Sequence, residues 1–140
     1  MEKEKRQLSF RIAALTAADL DRSARLRGMS RNALADRYLA EGLRRDEFPD
    51  IDFRDGALGR RAALSGTRLD VWQVLQTVQN HDHSIEEAAE YLGLPPHRVH
   101  AAVRYAAAHP DELRDIAERE AEAAARGEEI WRAGQDLLRA

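Results

Sequence analysis

The sequence predicts a mostly α-helical chain: one short strand and two helices at the front, then a small three-helix domain with a β-hairpin, then a C-terminal helix. Three observations predict it. Strict apolar/polar alternation is confined to residues 7–12, apolar residues recur at offsets of three and four through most of the remainder, and glycine or proline stands where one periodic run gives way to the next.

In the alternating segment Leu8, Phe10 and Ile12 fall on one face of a pleated strand, and Gln7, Ser9 and Arg11 on the other. A single strand of this length has no stability alone. Nothing else in the first 45 residues offers it a partner, so the expected partner is the same strand of a second copy, which makes a homodimer or a higher even-numbered oligomer. A helix follows, with Thr16 as the expected N-cap, Asp19 three residues on, Leu20 and Ala24 inward, and Gly28 as the left-handed stop. Ser30 caps the next helix, whose apolar stripe is Leu34, Tyr38, Leu39 and Leu43. A unit of this size buries too little surface to fold alone, so dimerisation is expected to be part of its stability.

The polar run of residues 46–50 contains Pro49 and should end the second helix at or before Phe48, because the residue before a proline avoids helical geometry. Two apolar pieces, residues 51–53 and 62–64, flank a glycine-containing stretch and read as a hairpin or as two extended segments. A helix with Val71, Trp72, Leu75 and Val78 inward comes next. Another begins at a capping box of Ser84 and Glu87, buries Ile85, Ala88, Ala89 and Leu92, and stops at Gly93. Pro95 and Pro96 then open a helix with Val99, Ala102, Val103 and Ala106 inward and His97, Arg98, His100 and Arg104 nearer solvent. Helix, tight turn, helix is helix-turn-helix geometry. From Pro110 onward alanine, glutamate and arginine dominate a strong helix former with a thin stripe: Leu113, Ile116, Ala117, Ala121 and Ala124, and after Gly127 Ile130, Trp131, Leu137 and Leu138. The expected division is therefore residues 1–46, 50–112 and a tail of 113–140.

Charge changes sign along the chain. Residues 1–45 hold 11 Lys/Arg against 6 Asp/Glu, residues 46–109 hold 6 against 10, and residues 110–140 hold 5 against 9. A basic front on an acidic remainder suits a nucleic-acid-binding head with a different task behind it. No run approaches the roughly 18–20 apolar residues of a membrane helix, and the charged first five residues lack a signal-peptide core, so the expectation is a cytoplasmic protein without a membrane partner. With no cysteine there is no disulfide, thiolate metal site or cysteine nucleophile. The cluster His81, Asp82, His83 has ligand chemistry but no third or fourth donor at a recognisable spacing. A solvated loop is the simpler reading, and no metal or cofactor is expected. His97, His100 and His109 have no neighbouring nucleophile or acidic dyad, so no enzyme is expected.

The order strand, helix, Gly28-Met29-Ser30 turn and helix within about 40 residues resembles the ribbon-helix-helix DNA-binding domain of Arc-, MetJ- and CopG-like repressors and many antitoxins. The resemblance covers about a third of the chain. It implies a two-stranded ribbon lying in the major groove of double-stranded operator DNA, with Gln7, Ser9 and Arg11 reaching base edges. Arg11 suits guanine O6 and N7, Gln7 suits adenine, and Ser9 accepts or donates to several bases. Ser30, Arg31 and Asn32, at a helix N-terminus, suit a phosphate, which sets register rather than sequence.

A second resemblance covers roughly residues 50–113. Gly66-Thr67-Arg68-Leu69-Asp70-Val71, then Ser84-Ile85-Glu86-Glu87-Ala88, then Val99, Ala101, Tyr105 and Ala106, are similar to the small helix-turn-helix domain of VapB-type antitoxins. That family has a glycine before the capping serine where this chain has His81-Asp82-His83, so the loop here has another shape. The resemblance implies an antitoxin that represses its own operon and neutralises a PIN-like ribonuclease toxin. The acidic balance around Arg98 and Arg104 favours protein contact over DNA contact for the second domain. Ile116, Ile130, Trp131, Leu137 and Leu138 are the expected toxin-binding residues, with Trp131 as anchor. The alternatives are a stand-alone ribbon-helix-helix repressor and an interaction module that does not bind DNA.

Overall fold

The computed structural model describes residues 4–140 and is mostly helical, with six helices and one two-stranded antiparallel sheet among them. The order is α1 (Ala14–Arg27), α2 (Arg31–Glu47), β1 (Ile51–Gly56), β2 (Gly59–Leu64), α3 (Val71–Asn80), α4 (Ile85–Leu92), α5 (Pro96–Ala108) and α6 (Pro110–Arg139). The chain divides into two compact units, Met1–Leu43 and Arg44–Ala140. The tail expected as a separate segment is instead part of the second unit, because α6 begins at Pro110 and places Leu113 in that unit's core.

In the first unit, Gly28 closes α1 in the left-handed conformation at φ 65°, and its N–H with that of Met29 satisfies the carbonyls of Ala24 and Arg25. Ser30 Oγ accepts from the Ala33 N–H at 3.1 Å, as a cap should. The start of α1 differs from expectation. It lies at Ala14, one half-turn before Thr16, because Ala14 and Leu15 are strong helix formers that extend it back to an extended Ala13 without a side-chain cap. Ala24 and Leu34 are buried in this unit, while Leu15, Leu26 and Leu43 stay largely exposed.

In the second unit α5 packs against the hairpin, α3, α4 and the front of α6, and α3 also meets β2. Strand register runs from Ile51 opposite Leu64 to Gly56 opposite Gly59, leaving a two-residue loop. Ile51 and Phe53 point inward, as does the end of β2 through Leu64. Asp70 and Gln73 cap α3 reciprocally, side chain to backbone at 2.8 and 3.0 Å. Ser84 Oγ accepts from Glu87 at the start of α4. Val71, Val74 and Val78 form the buried edge of α3, with Trp72 only half-buried beside them. The loop before Ser84 carries positive φ at Asp82 and His83, a shape these side chains tolerate at a cost.

At the centre lies Tyr105, wholly buried, with Phe48 edge-on at 5.2 Å and Phe53 at 6.2 Å. Its hydroxyl donates to Glu112 at 2.7 Å and accepts from Arg44 at 3.0 Å, and Arg44 also pairs with Glu112 at 3.2 Å. Burial, then the bond to Glu112, push the phenol's pKa well above the ordinary tyrosine value. A second buried link joins β2 to α3 and α6: Arg61 pairs with Asp70 at 3.2 Å and with Glu120 at 2.7 Å.

A raised pKa in the folded state means stability that is complete below the unfolded value of 10.0 and lost above it. The Tyr105 phenol should therefore keep its proton while free tyrosine ionises. Phenolate absorbance of the wild type and of Tyr105→Phe should superimpose through pH 10, and an extra tyrosine step there in the wild type would contradict the network. In urea, Tyr105→Phe should cost about 1–2 kcal/mol, against about 3–5 kcal/mol for Tyr105→Ala.

Candidate nucleic-acid interface

Residues 4–13 precede α1 without pairing to any strand, since the one sheet among the described residues is β1 with β2. Gln7, Ser9 and Arg11 are all exposed. So are the side chains expected on the opposite face: Leu8 at 79 %, Phe10 at 64 % and Ile12 at 46 % of full exposure. Burying three such side chains is worth roughly 1.5–3 kcal/mol each, which is a strong drive for this segment to find a surface.

Part of that surface is on the same unit. An open, mainly apolar hollow of about 360 Å³ is lined by Phe10, Ile12, Leu20, Ala35, Tyr38 and Leu39. The stripe read from the second helix is thus split in function: Leu34 is buried inside the unit, while Tyr38, Leu39 and Leu43 face outward.

Ser30, Arg31 and Asn32 are brought together at the N-terminus of α2 and are exposed. Ala33 N–H is taken by Ser30, and the N–H groups of Arg31 and Asn32 belong to the first turn, where a helix supplies no internal acceptor. Arg31 Nη1 lies 3.6 Å from Asp21, an exposed pair of little energetic weight that a phosphate can displace. Arg25 and Arg27, in the last turn of α1, are exposed close by in the chain and add positive charge that motif reading alone passed over. Their signal in sequence was only the local excess of arginine around Gly28.

The second unit offers a different face. A shallow hollow of about 590 Å³ is lined by Asp50, Glu86, His97, His100 and Arg104, a set of mixed charge. Arg98, expected near solvent on this helix, is instead drawn back to the hairpin: it donates to the Ser65 carbonyl and lies 3.7 Å from Asp50. Among the described residues no group of three or more His, Cys, Asp and Glu is arranged to hold a metal ion. His81 reaches back to the Thr77 carbonyl at 2.8 Å and packs on Tyr91 with ring centroids 5.0 Å apart.

Of the residues expected to hold a toxin, Ile130, Trp131, Leu137 and Leu138 are exposed on α6, between 57 % and 82 %. Ile116 is not. It is 7 % exposed, because the front of α6 packs against its own unit, and so it is corrected from a partner contact to a packing residue. No helix among the described residues is long and apolar enough to cross a membrane. Compared with protein-family models, curated proteins and solved structures, the chain matches none.

Because Arg11 and Trp131 are exposed, Arg11→Ala and Trp131→Ala should each leave the free energy of folding nearly unchanged, within about 0.5 kcal/mol. Ser30→Ala removes a cap and should cost about 1 kcal/mol of the first unit's stability. Thermal and urea unfolding by circular dichroism measures all three.

Proposed function

We propose that the protein is an antitoxin which represses its own operon: a homodimer of the first unit binds palindromic operator DNA, and the second unit with α6 binds and inhibits a PIN-like ribonuclease. The observation that carries the reading is the segment of residues 7–12. It alternates apolar and polar residues, exposes both sets, and has no strand partner among the described residues.

A second copy supplies the missing partner. Antiparallel pairing of two such segments satisfies the backbone donors and acceptors of both and turns Leu8, Phe10 and Ile12 toward the apolar helix faces of the dimer. The same pairing places Gln7, Ser9 and Arg11 of both copies on the outer surface of a ribbon that fits the major groove. Two N-termini of α2, one from each copy, then flank the ribbon with Ser30, Arg31 and Asn32 available to phosphates. Exposed Arg25 and Arg27 add to the attraction without adding sequence preference.

The acidic second unit suits a protein partner with a basic, RNA-binding surface better than it suits DNA. Capture of Arg98 by Asp50 and Ser65 leaves Arg104 as the exposed arginine of the α5 face, and Glu86 in the same hollow offsets its charge. Ile130, Trp131, Leu137 and Leu138 form the exposed apolar set on which a ribonuclease groove can close.

Two measurements test this. On the chain's own upstream DNA, Arg11→Ala should lose about 1–3 kcal/mol of binding, and markedly less on unrelated DNA; equal loss on both, or none, rules out base reading by Arg11. The reading requires a PIN-like ribonuclease encoded beside the chain; co-expression with it should rescue growth, and Trp131→Ala should weaken that complex by about 2 kcal/mol or more. A wild-type chain that neither binds the ribonuclease nor rescues growth rules out the antitoxin half.

A further inference from the structure

Of the arginines assigned to DNA, Arg11, Arg25 and Arg27 form no ion pair among the described residues. Arg31 does. Its Nη1 lies 3.6 Å from the carboxylate of Asp21, in the second half of α1, so the pair reaches across the turn of residues 28–30 from one helix to the start of the next. Asp19 pairs within α1, with Arg22 three residues on. Asp21 has an equivalent choice in Arg25, four residues on at the spacing of an ordinary helix-surface pair, yet its carboxylate lies against Arg31.

We propose that Asp21 is a built-in competitor of the DNA backbone for Arg31, which sets how strongly the first unit holds DNA and not which sequence it holds. This role rests on the phosphate contact of Arg31 proposed above. When a phosphate arrives, Asp21 opposes binding whichever way Arg31 turns. If the guanidinium leaves for the phosphate, the pair with Asp21 is lost. If it stays, the phosphate must approach a carboxylate 3.6 Å from the same cation, and the two negative charges repel.

The side chains of Arg31 and Asp21 keep 62 % and 44 % of their exposure, so screening by water limits the pair to about threefold in an equilibrium constant. A homodimer carries the pair twice, and two independent threefold factors multiply to about tenfold. Because a phosphate carries no sequence information, the competition weighs equally on every duplex. Base reading by Arg11 and binding strength set by Asp21 are then separate controls on one DNA-binding surface.

The test uses the full-length chain with its own upstream DNA and with an unrelated duplex of equal length, dissociation constants being read across a range of salt. Asp21→Asn should bind both duplexes about tenfold more tightly than the wild type. Asp21→Glu keeps the charge and should stay within about twofold of the wild type. With Arg31→Gln already present, Asp21→Asn should gain less than about twofold, as should Asp36→Asn, the same change of charge at an exposed position of α2. In the Asp21→Asn chain, Arg31→Gln should flatten the plot of log affinity against log salt by about one unit per protomer.

No gain from Asp21→Asn in a chain that binds DNA overturns the competition and leaves the DNA-binding reading standing. An equal gain from Asp36→Asn, or an undiminished gain beside Arg31→Gln, overturns it in favour of net charge alone. A gain confined to the upstream duplex overturns its independence of sequence. A salt slope that Arg31→Gln leaves unchanged overturns the phosphate contact and this role with it. Failure of every form to bind either duplex, with helix content intact by circular dichroism, overturns the DNA-binding reading as well.

Discussion

The second unit depends on one arrangement: a tyrosine hydroxyl deep in an apolar core, held between a carboxylate and a guanidinium from different helices. Burying a phenol without a partner for its oxygen would offset much of what its ring gains. Glu112 accepts its proton and Arg44 donates to it, so the ring of Tyr105 can pack against Phe48 and Phe53 with no polar atom left over. The arrangement also fixes topology. Arg44 lies in the last turns of α2, Tyr105 near the end of α5 and Glu112 in the first turn of α6, so three chain segments must arrive together before any one is satisfied. Arg61 does the same for the hairpin, α3 and α6 through Asp70 and Glu120.

Local chemistry was legible in the sequence wherever one residue decides the outcome. Gly28 and Gly93 take left-handed conformations that end their helices, Ser30 and Ser84 cap the following ones, and Pro49 limits α2 to Glu47. Less legible were features that arise only when distant segments meet. Tyr105 carries a polar group, and periodicity cannot say that Glu112 and Arg44 will satisfy it. Arg98 looked like a solvent-facing cation on α5 because the Ser65 carbonyl and Asp50 come from elsewhere in the chain. Ile116 and Ile130 are the same residue type on one helix face, and only the reach of the core decides that one is buried and the other exposed.

The candidate interface divides in the same way. The alternation of residues 7–12 and the cap at Ser30 could be read directly, since both are local. That the alternating segment lacks a partner could be argued from sequence only by elimination, and among the described residues the single sheet is β1 with β2. The two units thus leave apolar surface uncovered in different ways. The first exposes an unpaired segment beside a hollow, and the second exposes a helix face beyond the reach of its core.

The length of α6 has a further consequence. Since each residue turns a helix by about 100°, the angle between the anchored Leu113 and Ile116 and the exposed Trp131 is set by a count of residues. One residue inserted between Glu120 and Ala123 would move the distal stripe outward by only about 1.5 Å, yet swing it about a quarter-turn from the anchored face. Seven inserted residues would restore the angle almost completely and add about 10 Å of reach. Chains of this design can therefore lengthen the helix in steps of seven and keep its phase, whereas single insertions uncouple the two ends.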